Sequence, residues 1–98
     1  MTTLIPWTDT ASLTQITAAF LAGYGKTTRK SYAEGLRAWV GWCGEHGIDP
    51  IQAARPHIDL WARWLDEERH LAPATVMHRL CILRSFYRYL EDEAVIIK

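Results

Sequence analysis

Twenty residues, Leu71 to Leu90 (LAPATVMHRLCILRSFYRYL), constrain the fold of this chain more than any other stretch. Val76, Leu80, Leu83, Tyr87 and Leu90 recur at intervals of 4, 3, 4 and 3 residues, so a helix lines them up on one stripe. Pro73 and Thr75 mark its start, with the threonine suited to accept a backbone N–H in the first turn. Ala74, His78, Ser85 and Arg88 fall on the other side, and Arg79 and Arg84 at its edges. The segment holds three arginines and no carboxylate. Two readings fit: an ordinary core helix with solvated arginines, or a helix whose basic flank enters a DNA major groove.

The rest of the chain carries the same 3.6-residue period. A first helix is expected from Thr10 or Ser12 to about Ala22, with Leu13, Ile16 and Phe20 inward and Gly23-Tyr24-Gly25 as its stop. A second is expected from Thr27 or Thr28 to His46, stopped by Gly47. Its core stripe is Tyr32, Leu36, Trp39, Val40 and Cys43. Gly35, Ala38 and Trp42 form a second face where another helix can approach. Gly35 and Gly41 each cost about 1 kcal/mol relative to alanine inside a helix, which points to a packing reason for both. Asp49 and Pro50 open a short helical turn through Ala54. A third helix is expected from Pro56 to about His70. Its apolar arc, Ile58, Leu60, Trp61, Ala62, Trp64 and Leu65, is wide enough to make it the most buried of the four. Residues 1–9 read as a leader, in which Leu4, Ile5 and Trp7 can fold back or Trp7 can act as a staple. The expectation is an all-α chain: one four-helix domain over residues 10–92, with residues 93–98 leading away from it.

Length and composition limit the alternatives. Ninety-eight residues, 49% hydrophobic and 22% charged, suffice for a single core. Five tryptophans suggest a core of few, large side chains. No apolar run reaches the ~20 residues needed to span a bilayer, and the N-terminus lacks the charge and apolar core of a signal peptide. The chain therefore reads as intracellular, with no membrane partner. Formal net charge is zero, unlike the usual nucleic-acid binder, but the charges are segregated. Lys26 to Arg37 holds four basic residues against Glu34 alone. Asp49 to Arg69 holds three basic residues against Asp49, Asp59, Asp66, Glu67 and Glu68. Such segregation makes a positive and a negative face. The acidic end of the third helix suits phosphate poorly and is expected to face away from DNA.

Motifs for catalysis are missing. There is no P-loop, nucleophile elbow, dinucleotide turn or His-Glu-x-x-His, and no carboxylate pair stands out. Cys43 with His46, and His78 with Cys81, have a spacing that a metal could use. Zinc ligands, however, favour knuckles and loops over core helices. Both cysteines read as small hydrophobes, and no metal or other cofactor is expected.

Two patterns together carry a resemblance. Leu71-x-x-x-Thr75-x-x-x-Arg79-Leu80-x-x-Leu83-Arg84-x-Phe86-Tyr87-x-Tyr89-Leu90 is similar to the last helix of the N-terminal core-binding domain of tyrosine recombinases, the phage integrases and Xer-type enzymes. Thr28-x-x-x-Tyr32-x-x-x-Leu36-x-x-Trp39-x-x-Trp42-Cys43, then Gly47-Ile48-Asp49-Pro50, resembles the second helix and exit turn of the same domain. The match runs over about residues 12 to 96. It implies an orthogonally packed, SAM-like helical bundle forming half of a clamp around a recombination site. It also implies a cytoplasmic, nucleoid-associated protein of bacterial or phage origin, monomeric alone and oligomeric on DNA in full-length form. The family's tyrosine nucleophile and its arginine, histidine and lysine partners lie in a C-terminal catalytic domain absent from this chain. Tyr24, Tyr32, Tyr87 and Tyr89 inherit no such role.

By the same resemblance, double-stranded DNA meets Lys26, Thr27, Thr28, Lys30, Ser31 and Arg37 of the second helix, and Ala74, Thr75, His78 and Arg79 of the fourth. Lys26, Lys30 and Arg37 are expected on phosphates. Thr75 and His78, with Arg79 or Met77, are expected at base edges. Alanine at 74 and methionine at 77 depart from the polar groups that direct readout favours, shifting weight to DNA shape. About five phosphate contacts give a log–log salt slope of roughly −4 to −5. The bland reading of residues 26–31 is a solvated helix start with Lys30 and Glu34 paired. A different function, a helical protein-interaction domain, would need Trp42, Trp61 and Trp64 exposed as one patch.

Overall fold

The structure, a computed structural model, describes residues 10–93, with side chains from residue 13 onward. The expected leader, residues 1–9, and residues 94–98 lie outside the described residues. The described chain is four helices: α1 (Thr10–Leu21), α2 (Lys26–Glu45), α3 (Arg55–Glu67) and α4 (Pro73–Asp92). No strand occurs among the described residues. α4 is the hub, packing against both α2 and α3, while α1 packs on α2.

Helix ends follow backbone chemistry more than side-chain caps. α2 begins at Lys26, one residue before the threonines expected to start it, because Gly25 takes the cap position in extended conformation without a side-chain hydrogen bond. At the other end Gly47 (φ 67) adopts the left-handed conformation. Ile48 N–H then reaches back to the Cys43 carbonyl at 2.9 Å and Gly47 N–H to Gly44 at 3.4 Å, the paired bonds of a Schellman stop. α4 starts at Pro73 behind Ala72, which makes no side-chain cap. Thr75 therefore does not cap it, and the Thr75 and Val76 N–H groups bond the Ala72 carbonyl at 2.9 and 3.0 Å. At α3 the His57 ring accepts the Ala54 N–H on Nδ1 at 2.9 Å. α3 ends at Glu67, three residues short of expectation, because His70 takes a left-handed conformation (φ 53). The turn expected after Asp49 forms but covers residues 50–52 and stops short of Ala54, with Asp49 Oδ1 accepting the Ile51 N–H at 3.0 Å.

The core is Ile16 and Phe20 of α1, Leu36, Trp39, Trp42 and Cys43 of α2, Trp61 and Leu65 of α3, and Ile82, Leu83, Phe86 and Leu90 of α4. Two expectations change here. The α4 stripe shifts: Ile82 and Phe86 are fully buried, while Val76, Leu80 and Tyr87 are half-buried. A helix flanked by two others buries a wide arc, and the expected stripe, in which Leu83 and Leu90 are buried, is only part of it. α3 is not the most buried helix, since only Trp61 and Leu65 are buried and Leu60 is 57% exposed. It packs mainly on α4 and leaves its other sides to solvent.

Gly35 is where α2 and α4 come closest. A Cβ there would stand 2.7 Å from Ile82 Cδ1, inside van der Waals contact, and Ile82 is itself enclosed. Gly41, expected to share this reason, has open space around a Cβ. Below that contact Trp39, 0% exposed, donates its indole N–H to the Tyr87 hydroxyl at 3.0 Å. Tyr87 in turn donates to the Pro50 carbonyl. This chain ties α2, α4 and the α2–α3 connection together. Burial, with smaller contributions from Cys43 and Asp49, holds the Tyr87 hydroxyl above the ordinary tyrosine range, against the opposing pull of the Trp39 N–H. Burial first, and Asp49 second, pushes the Cys43 thiol up to about 12. A thiol so held is a packing group and not a nucleophile.

Candidate nucleic-acid interface

The N-terminal halves of α2 and α4 meet at one polar contact. Ser31 Oγ lies 2.9 Å from His78 Nε2, and the His78 ring meets Tyr32 edge-on with centroids 6.1 Å apart. Tyr32 is anchored behind by Tyr24 at 4.7 Å and Phe20 at 6.2 Å. α1 thus supports the junction from below through Phe20, whose ring also touches Phe86 and Tyr89 of α4.

Around this contact most of the expected residues are open to solvent. Lys26, Thr27, Thr28 and Lys30 are exposed on α2, and Ser31 is half-buried by its bond to His78. Ala74, Thr75 and His78 are exposed on α4. Arg29, which the pattern does not single out, is equally exposed; its place in the same basic run was the available signal. With no side chain capping α2, the first-turn N–H groups are accessible, and such groups favour anions. Lys30 and Glu34 are not paired. The one ion pair within 4 Å among the described residues is Arg63–Glu67, at 3.8 Å on the exposed face of α3.

Two arginines sit elsewhere. Arg37 lines the cleft between α1 and α2 with Leu13, Ala18 and Leu21. Arg79 is half-buried and shares a recess with Trp42, Glu45, Arg69 and Leu71. Arg69 places its guanidinium over Trp64 at 5.7 Å. The acidic end of α3 lies closer to α4 than the sequence suggests. Asp66 and Glu67 share a recess with Pro73, Val76 and Met77. The first turns of α4 therefore divide an α2 flank carrying the basic residues from an α3 flank carrying acids. Met77, 60% exposed, stands on the acidic side.

This is the arrangement of helices that the sequence pattern anticipates, and comparison with known families agrees. The family model for the phage integrase N-terminal SAM-like domain matches residues 13–97. The chain belongs to this family. No curated protein and no solved structure matches it.

A SAM-like integrase domain is all-α and is non-catalytic on its own. All four of this domain's tyrosines are half-buried, with Tyr87 committed to Pro50. Among the described residues no three His, Cys, Asp or Glu side chains converge as a metal site. Cys43 is buried while Cys81 is exposed. No described helix is long and apolar enough to cross a membrane. The tryptophan face of the protein-interaction reading does not form, because Trp61 is 0% and Trp42 6% exposed and only Trp64 is half-buried. Those rings fill the core, where Trp39 stacks on Trp42 at 5.7 Å and meets Trp61 at 5.1 Å.

Proposed function

We propose that this domain holds double-stranded DNA for a site-specific recombinase, laying the first halves of α2 and α4 against one face of the duplex. The observation that carries the reading is the Ser31–His78 bond, which joins an exposed basic helix start to an exposed, carboxylate-free one. Lys26, Arg29 and Lys30 take phosphates, while Thr75 and His78 face base edges. Membership of the integrase family supports DNA as the partner. Residues 10–92 act as the module and residues 93–98 lead toward a catalytic domain that performs strand exchange in the cytoplasm. Oligomers then form on the recombination site, not in free solution.

The test is an NMR titration of the labelled domain with a short mixed-sequence duplex at low and at high salt. Shifts are expected at residues 26–31 and 74–78, fading as salt rises. Replacing Lys26 and Lys30 by alanine should make the log–log salt slope shallower by roughly 1.8, or 0.9 per lost phosphate contact. A spectrum unmoved at both salts, or shifts centred on the acidic α3 flank, would sink the proposal.

A further inference from the structure

We propose that His78 reads a hydrogen-bond acceptor on a base through its Nδ1–H, and that Ser31 positions it by occupying Nε2. This rests on the DNA reading above and names the readout of the same site.

His78 is exposed yet held. One edge of its ring is bonded to Ser31 at 2.9 Å and one side abuts Tyr32. Exposed side chains ordinarily lose rotamer freedom when they bind, and a ring already fixed avoids that cost. The bond also governs which nitrogen carries hydrogen. Ser31 Oγ makes no other hydrogen bond within the described chain. In particular it does not donate back to the carbonyl one turn earlier, as helical serines often do. In the proposed arrangement the hydroxyl hydrogen goes to Nε2. A neutral ring that accepts on Nε2 carries its own hydrogen on Nδ1. A protonated ring reverses the Ser31 bond but still carries hydrogen on Nδ1. In both states the nitrogen left without a partner in the described chain is a donor.

A lone donor in the major groove discriminates. Guanine offers N7 and O6, adenine N7 and thymine O4, whereas cytosine presents an amino donor there. His78 thus disfavours cytosine at the position it faces. Ala74, one turn before on α4 and exposed, brings no competing polar group to that edge. The alanine that looks like a defect for direct readout leaves His78 as the speaking group.

Two measurements test this together. Long-range nitrogen NMR of the free domain should find the neutral His78 hydrogen on Nδ1, and Ser31→Ala should release that preference. Selection from a randomised duplex pool at low salt should then give one position where wild type disfavours cytosine by about 3- to 10-fold, the scale of one hydrogen bond. Among the duplexes it still binds, Ser31→Ala should lose this bias, and Ser31→Thr should keep it. Hydrogen on Nε2 in the wild type, or the same base preference in wild type and Ser31→Ala, would overturn the inference and leave the DNA reading intact. Absence of salt-dependent binding to any duplex would remove the DNA reading, and this inference with it.

Discussion

α2 and α4 meet in two regions that obey different physics. In the middle of the pair Gly35 admits Ile82, and Trp39, Phe86 and Leu90 are sealed from water. Near the N-terminal ends a single bond, Ser31 to His78, joins surfaces that are otherwise wet and charged. In the first region shape governs, because buried atoms have no water to fall back on. In the second, charge and hydrogen-bond direction govern, because volume is free there. One helix pair is therefore sealed scaffold in its middle and open polar surface at its end, the surface proposed above to meet DNA, and substitutions should separate the two.

Phe86→Ala should give the largest effect. The ring is 1% exposed and touches Phe20 and Tyr87, so its loss should cost about 3–5 kcal/mol by denaturant unfolding. Lys30→Ala, at the wet end, should stay within about 0.5 kcal/mol of wild type while weakening DNA binding. Similar losses from both would erase the distinction between the regions.

Two glycines of α2 sharpen it at smaller scale. Gly35→Ala gains up to about 1 kcal/mol of helix propensity, but overpacking against an enclosed Ile82 costs roughly 1–3 kcal/mol. The net result should be a loss of up to about 2 kcal/mol. Gly41→Ala meets nothing and should stabilise by about 0.5–1 kcal/mol. Thermal unfolding of the two variants should move in opposite directions. Equal shifts of one sign would mean that the close approach at Gly35 is not real.

The gentlest probe is alkaline pH. The Cys43 thiol has an ordinary value of 9.0 and is pushed up to about 12 in the folded state. Above pH 9 the unfolded chain gives up this proton while the folded one retains it, so the stability it contributes is complete below 9 and is lost as pH rises toward 12. A melting temperature that begins to fall near pH 9, and falls less in Cys43→Ala, is the expected result. An identical alkaline slope in both proteins would place the loss elsewhere, with Tyr87 next in line because its hydroxyl is raised too.

Much of this was legible beforehand. Four helices, the Gly47 stop, the close approach at Gly35 and the family all follow from the residues, because helical period and glycine chemistry are local properties. The largely exposed runs at residues 26–31 and 74–78 were legible in the same way. The α2 start was misplaced by one residue and Thr75 was given a capping role it does not take, because Gly25 and Ala72 cap without side-chain bonds, which no threonine pattern can reveal. Arg37, itself exposed, lines a cleft between α1 and α2, and Arg79 lines a recess with residues of α2 and α3, surroundings that exist only once the helices have packed.

The sequence by itself determined the helical class, the order of the elements and the segregation of charge, since each depends on neighbours a few residues apart. Only the tertiary structure decided which arc of α4 is buried, that the tryptophans are core and not surface, and that Ser31 meets His78 across 47 residues of chain. Those outcomes depend on which helix lies beside which. That choice is made by volume and enclosure, quantities that a one-dimensional pattern does not carry.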